Sequence, residues 1–316
     1  MKKKITIGKL RGLQQSTSTQ GIFTCLALDH RQNLRKANPA FRNDTALSSF
    51  KMDVTSALAS EATAVLLDPE VSAAQAIAGG AIPGKTALIV ALESTGYTGD
   101  PKARESQVIP GWSVEKAKRM GASMVKLLVY FHPQSPIADS IEQFTTTISK
   151  ECIQHDMGLM VEPLSYSLTG ERLAGDEKQK VIIEIARRFS RIEGVDVVKI
   201  ELPLDPTNSD LSALTDACAE VNSEMMTPWI LLSGAASFEV YEQQVITACK
   251  AGASGIAVGR AVWQESILMN EGPRRVFLES VAKPRLKTLA SLCNSLGRPI
   301  QEYFYAVTTF NWFREY

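Results

Sequence analysis

The chain reads as an α/β protein of the (β/α)8 TIM-barrel class, and three observations predict it. Eight short apolar runs recur along the chain, with amphipathic helical patterns between most of them. Alternating β and α elements imply parallel strands. No linker or low-complexity segment breaks the series, and a length of 316 residues suits one barrel domain over residues 1–316. An open doubly wound sheet is the competing architecture, yet the first strand runs into Asp29-His30-Arg31 with no G-x-G-x-x-G fingerprint after it.

Taken in order, a helix is expected over residues 5–14, followed by a polar Ser/Thr loop. Strands are expected at 22–28, 64–67, 87–92, 124–130, 158–162, 196–201, 229–232 and 255–258. Their β-branched, nearly continuous apolar runs are those of parallel strands covered on both faces. Helical patterns fall at 140–154, 178–191, 211–221 and 241–250. The stretches 94–111 and 164–176 are long loops expected on the catalytic face, where loops of that length are usually functional. Residues 263–298 read as helical, and the aromatic tail from Tyr303 to Tyr316 is expected to pack back on the domain or on a second copy in a homo-oligomer.

Composition narrows the function classes. Lys+Arg and Asp+Glu both total 34, so no basic field favours nucleic acid. Met1-Lys2-Lys3-Lys4 is followed by no long apolar stretch, which argues against a signal peptide or a membrane span and makes a cytoplasmic enzyme the default. The five cysteines, Cys25, Cys152, Cys218, Cys249 and Cys293, show no C-x-x-C pair and read as reduced core residues. His30, His132 and His155 are scattered with no H-E-x-x-H arrangement, which argues against a dedicated zinc site; no cofactor is expected, with a carboxylate-only magnesium site the alternative.

The chemistry concentrates at strand ends. Lys199 lies inside the run Val197-Val198-Lys199-Ile200-Glu201, and alternation puts it on one face with Val197 and Glu201. In a barrel that face points inward, towards the C-terminal mouth where active sites sit. There, desolvation and a neighbouring cation disfavour the charged amine and leave a nucleophile for a carbonyl. A second reading is an ion pair closing a polar layer of the barrel. Strand one ends at Asp29, strand four carries Lys126 in phase with Leu128 and Tyr130, and strand five ends with Glu162. Lys126 is the expected second cation, Glu162 the proton-transfer group, and Asp29 the group that orients a substrate hydroxyl or assists the carbinolamine step.

Strands seven and eight run into Ser233-Gly234 and Gly259-Arg260. Those two loops build the usual phosphate pocket of barrels, with glycine freeing backbone N–H groups and the guanidinium gripping oxygen. Arg31, just past Asp29, is the candidate for a second anionic end of the substrate, with Arg104 and Arg172 as helpers. A terminal phosphate and a terminal sulfonate are both tetrahedral anions, so arginine alone does not separate them.

From Ala27-Leu28-Asp29-His30-Arg31 to Gly259-Arg260-Ala261-Val262-Trp263 the chain resembles the class I tagatose 1,6-bisphosphate aldolases and the related sulfofructose-phosphate aldolases. Matching stretches include Glu93-Ser94-Thr95-Gly96-Tyr97, Val125-Lys126-Leu127-Leu128, Val161-Glu162-Pro163-Leu164 and Val198-Lys199-Ile200-Glu201. The resemblance implies a (β/α)8 fold and metal-free retro-aldol cleavage of a phosphorylated ketose to dihydroxyacetone phosphate and an aldehyde. It makes Lys199 the Schiff-base lysine, Glu162 the main proton-transfer residue, Asp29 and Lys126 their partners, and Ser233, Gly234 and Arg260 the phosphate binders. His30 departs from it, standing where the Asp-Gln-Arg pattern has glutamine. A non-catalytic sugar-phosphate sensor is the alternative from another class, but it has no need of both lysines together with Glu162.

Overall fold

The computed structural model describes residues 2–171, 173–205, 210–314 and 316. Eight strands form a closed parallel barrel: β1 (Phe23–Ala27), β2 (Ala64–Leu67), β3 (Ala87–Ala91), β4 (Met124–Phe131), β5 (Gly158–Ser165), β6 (Val197–Ile200), β7 (Trp229–Leu232) and β8 (Gly255–Val258). Each pairs with the next, and β8 returns to β1 with Ala257 opposite Cys25. The predicted barrel is borne out.

Alternation along the strands sorts their side chains into two cores. Cys25, Ala27, Leu66, Ile89, Met124, Met160, Val197 and Ile230 fill the lumen, whereas Leu26, Val65, Val90, Val125, Val161, Val198 and Leu231 face the surrounding helices. The helices answer with apolar stripes. In Asp44–Leu58, for example, Leu47, Phe50, Val54 and Leu58 are buried at helical spacing, and Asn43 caps the first turn by accepting from the Ala46 N–H.

Several boundaries differ from expectation. β5 continues to Ser165, pairing with β4 as far as Phe131. Pro163 is tolerated because β6 has stopped pairing after Val161, so the missing N–H forfeits no ladder bond on that side. The helical stretch expected over 263–298 is broken: a 3-10 turn, Gln264–Leu268, precedes the helix Glu271–Phe277. A π-helical turn, Leu278–Ala282, then leads into the helix Lys283–Leu296. Pro284 cannot donate to the carbonyl four residues back, and the ladder widens where that bond would fall. The N-terminal helix spans Ile7–Ser16, two residues later than expected.

The C-terminal tail returns to the chain's beginning. Phe304–Tyr305 pairs in parallel with Lys3–Lys4, and the Tyr316 hydroxyl accepts from the Gly8 N–H at 3.0 Å. Tyr303 and Phe304 are buried, while Phe310 and Phe313 stay exposed. No helix among the described residues is long and apolar enough to cross a membrane.

Candidate active site

The lumen face of the barrel changes character towards the C-terminal ends of the strands. Continuing the apolar column of β6, Val197 is followed two residues later by Lys199, and on β4 Met124 is followed by Lys126. Both ammonium groups are buried. They are joined by a single carboxylate: Glu162 Oε1 lies 2.8 Å from Lys199 Nζ, and Glu162 Oε2 lies 2.8 Å from Lys126 Nζ. Lys126 also donates to Asp29 Oδ2 at 2.9 Å and to Glu93 Oε1 at 2.7 Å. The four residues singled out at the strand ends, Asp29, Lys126, Glu162 and Lys199, therefore meet in one cluster.

Electrostatics assign their charges. Burial works against a charged Lys126, yet Asp29, Glu162 and Glu93 around it raise its pKa well above the ordinary lysine value. Burial likewise works against the Asp29 carboxylate, but Lys126 and then Lys199 hold its pKa well below the ordinary range. The same two lysines overcome burial at Glu162 and lower its pKa. Lys126 is thus a fixed cation, and Asp29 and Glu162 are ionised around it.

Glu93 is a member of the cluster that the sequence reading left without a role. It is buried, and its second oxygen accepts from the Leu128 N–H at 3.0 Å. The signal was present in the strand period: Ala87, Ile89 and Ala91 alternate on one face, and Glu93 is the next step along it. Glu201 is the corresponding step beyond Lys199, and its carboxylate accepts from the Ser165 N–H at 2.9 Å and hydroxyl at 2.7 Å.

Above the cluster opens a cavity of about 550 Å³, within the size range of small-molecule sites. Ser233, Gly234, Gly259 and Arg260 line it together with Asp29, Lys126, Glu162 and Lys199. Gly234 has φ 54°, which costs glycine nothing. At Gly259 a Cβ would stand 3.0 Å from both the Ala27 carbonyl oxygen and His30 Cε1, so a side chain there would crowd the loop off strand β1. Its N–H is directed at Ser233 Oγ, 3.4 Å away. Arg260 has no carboxylate partner among the described residues, and burial lowers its pKa. A guanidinium in that situation gains from acquiring an anion.

The other arginines behave differently. Arg31 lines the same cavity but is buried and already ion-paired to Glu70, and its Nη2 donates to the Glu93 carbonyl at 2.8 Å. Arg104 faces a neighbouring cavity instead, with its guanidinium 4.7 Å from the Tyr97 ring centre and 4.5 Å from that of Tyr166. Arg172 lies outside the described residues. His30 sits on the cavity wall edge-on to Trp263, with ring centres 5.7 Å apart, and its Nδ1 has no hydrogen-bond partner among the described residues. Burial pulls its pKa down to about 4 against the opposing pull of Asp29, leaving a neutral imidazole at pH 7. No group of three or more His, Cys, Asp or Glu residues is arranged to hold a metal ion among the described residues.

A closed barrel gathering lysines and carboxylates at its C-terminal mouth places this chain with the enzymes that work at barrel strand ends. The chain belongs to the DeoC/LacD family of aldolases, whose model matches residues 23–265. It is 30% identical over 311 residues to tagatose 1,6-diphosphate aldolase 1 of Enterococcus faecalis, covering 91% of this chain and 95% of the relative. It is 28% identical over 327 residues to tagatose 1,6-diphosphate aldolase 2 of Streptococcus mutans, covering 93% and 97%. Among solved structures, an archaeal fructose 1,6-bisphosphate aldolase shares the fold at TM-score 0.61 and 21% identity, over 91% of this chain and 99% of that one. The fructose-bisphosphate aldolase of Plasmodium falciparum does so at TM-score 0.71 and 11% identity, over 94% and 98%.

Proposed function

We propose that this aldolase works through a Schiff base on Lys199 and cleaves a ketose 1,6-bisphosphate, with tagatose 1,6-bisphosphate the favoured substrate, to dihydroxyacetone phosphate and glyceraldehyde 3-phosphate. The observation that carries the reading is Glu162 bridging Lys199 and Lys126 at 2.8 Å each. The names of the curated relatives support the choice of sugar.

In this reading the substrate's first phosphate rests on Arg260, Ser233 and the backbone at Gly234 and Gly259, which puts the ketone over Lys199. Lys199 first gives up its ammonium proton to solvent; the free amine then adds to the carbonyl carbon, and the carbonyl oxygen takes a proton to give the carbinolamine. Loss of water, with a proton supplied to the leaving hydroxyl, yields the iminium. A base, Glu162, then takes the proton from the C4 hydroxyl. The C4–O electron pair forms the aldehyde, the C3–C4 bond breaks, and its electrons flow into the iminium to give an enamine. Protonation at C3 and addition of water release dihydroxyacetone phosphate and regenerate the amine. Lys126, held as a cation by three carboxylates, keeps Glu162 and Asp29 ionised and in place, and Asp29 orients a substrate hydroxyl.

Borohydride reduction in the presence of substrate, followed by mass mapping, tests this directly. The expected result is substrate carbon fixed on Lys199, abolished by Lys199→Ala, with turnover insensitive to chelators. Labelling confined to another lysine overturns the assignment. Comparing kcat/KM for tagatose 1,6-bisphosphate, fructose 1,6-bisphosphate and 6-deoxy-6-sulfofructose 1-phosphate decides the sugar, and a clear preference for the sulfonate would replace the favoured substrate.

A further inference from the structure

The two guanidiniums on the cavity wall are in opposite situations. Arg260 has no carboxylate partner among the described residues, whereas Arg31 is ion-paired to Glu70 and has the buried Glu93 carboxylate 4.0 Å from its Nη2. We propose that Glu70 sets the preference for the substrate's distal group by competing with a distal tetrahedral anion for Arg31; this rests on the aldolase reading above.

The pair has one fixed and one loose member. Arg31 is 6% exposed and anchored through Nη2 to the Glu93 carbonyl at 2.8 Å, while the Glu70 side chain is 47% exposed. Arg31 Nε is sealed from solvent without an acceptor among the described residues, so the guanidinium has donor capacity that Glu70 leaves unused. The backbone beneath Glu70 is held. Its N–H donates to Asp68 Oδ1 at 3.0 Å, and Asp68 is itself buried against Lys51 and accepts from the Ser72 hydroxyl at 2.6 Å. Only the Glu70 side chain has room to leave, outward into water.

A neutral distal group therefore meets an arginine whose charge is already answered. An anionic one takes the place of the Glu70 carboxylate, exchanging a half-exposed ion pair for a charge-assisted bond to phosphate or sulfonate. Glu70 thereby weakens binding of the anionic substrate relative to one that ends in a hydroxyl. It acts through Arg31 and is a specificity residue.

The test is the ratio of kcat/KM for a ketose 1,6-bisphosphate to that for the corresponding ketose 1-phosphate, in the wild type and in Glu70→Gln. Glu70→Gln keeps the size of a half-exposed side chain and should raise the ratio about two- to fivefold, the range of a partly exposed ion pair. An unchanged ratio in an enzyme that turns over overturns the inference and leaves the aldolase reading intact. A lower ratio does the same, because it would mean that Glu70 orients Arg31 for the anion. If the wild type cleaves neither ketose, the aldolase reading fails. The affinity for inorganic phosphate, read calorimetrically in an Arg260→Ala background, then decides the point: either Glu70→Gln strengthens it or the inference falls.

Discussion

Lys199 Nζ lies 2.8 Å from Glu162 Oε1, and the other oxygen of that carboxylate lies 2.8 Å from Lys126 Nζ. One carboxylate thus serves two buried cations, so its removal has two effects that are separable by experiment. Glu162→Gln should lower kcat by about 10²–10⁴-fold, the usual worth of a positioned acid–base group, with KM much less affected. It should also lower the melting temperature, since two ammonium groups then share the cavity with less negative charge. A variant turning over at close to the wild-type rate would move proton transfer to another group, with Asp29 and Tyr130 next in reach.

Arg260 is the guanidinium on the cavity wall without a carboxylate partner among the described residues. Arg260→Ala should raise KM for phosphorylated ketoses about ten- to hundredfold, as expected when a charge-assisted hydrogen bond is lost. An unphosphorylated ketose should be affected little. Equal losses for both substrates would show that Arg260 shapes the loop instead of holding the anion.

His30 makes stability depend on pH. Its pKa falls from about 6.5 in the unfolded chain to about 4 in the folded one. Between those values the unfolded chain binds a proton that the folded chain refuses, so the stability present above about pH 6.5 is lost as pH falls towards 4. His132, lowered by burial, acts in the same direction. Asp29 and Glu162 are also lowered, and their contribution disappears further down, below the ordinary carboxylate range. His30→Gln should flatten the loss between pH 6.5 and 4.5 by on the order of 2 kcal/mol and spare the lower limb. Denaturant melts at a series of pH values measure it; parallel wild-type and variant curves would show that His30 is not the group titrating.

At the opposite end of the barrel, the buried Lys9–Asp196 pair closes at 2.8 Å, and Asp196 also accepts from the Leu159 N–H at 2.9 Å. Asp196→Ala strands a buried ammonium and should cost about 3–5 kcal/mol of stability, while KM stays where it was because no part of the cavity is touched. A large rise in KM with intact stability would contradict this division between the two ends.

Strand periodicity determined most of what could be read without coordinates. A lumen-facing residue recurs at every second position, so the Val197–Lys199 and Met124–Lys126 columns, together with Asp29 and Glu162 at strand ends, could be assigned to one mouth from the sequence. Partner choice could not be read that way. Lys126 meets Asp29 across 97 residues of chain and Glu93 across 33, and the alternation that sets a side chain's face says nothing about which neighbour on that face it reaches. Barrel closure decided that Glu162 bridges both lysines and that Glu93 completes the cage around Lys126. The turn at Asp68–Ser72 decided that Glu70 answers Arg31, while Arg260, equally plain in the sequence, has no carboxylate partner among the described residues.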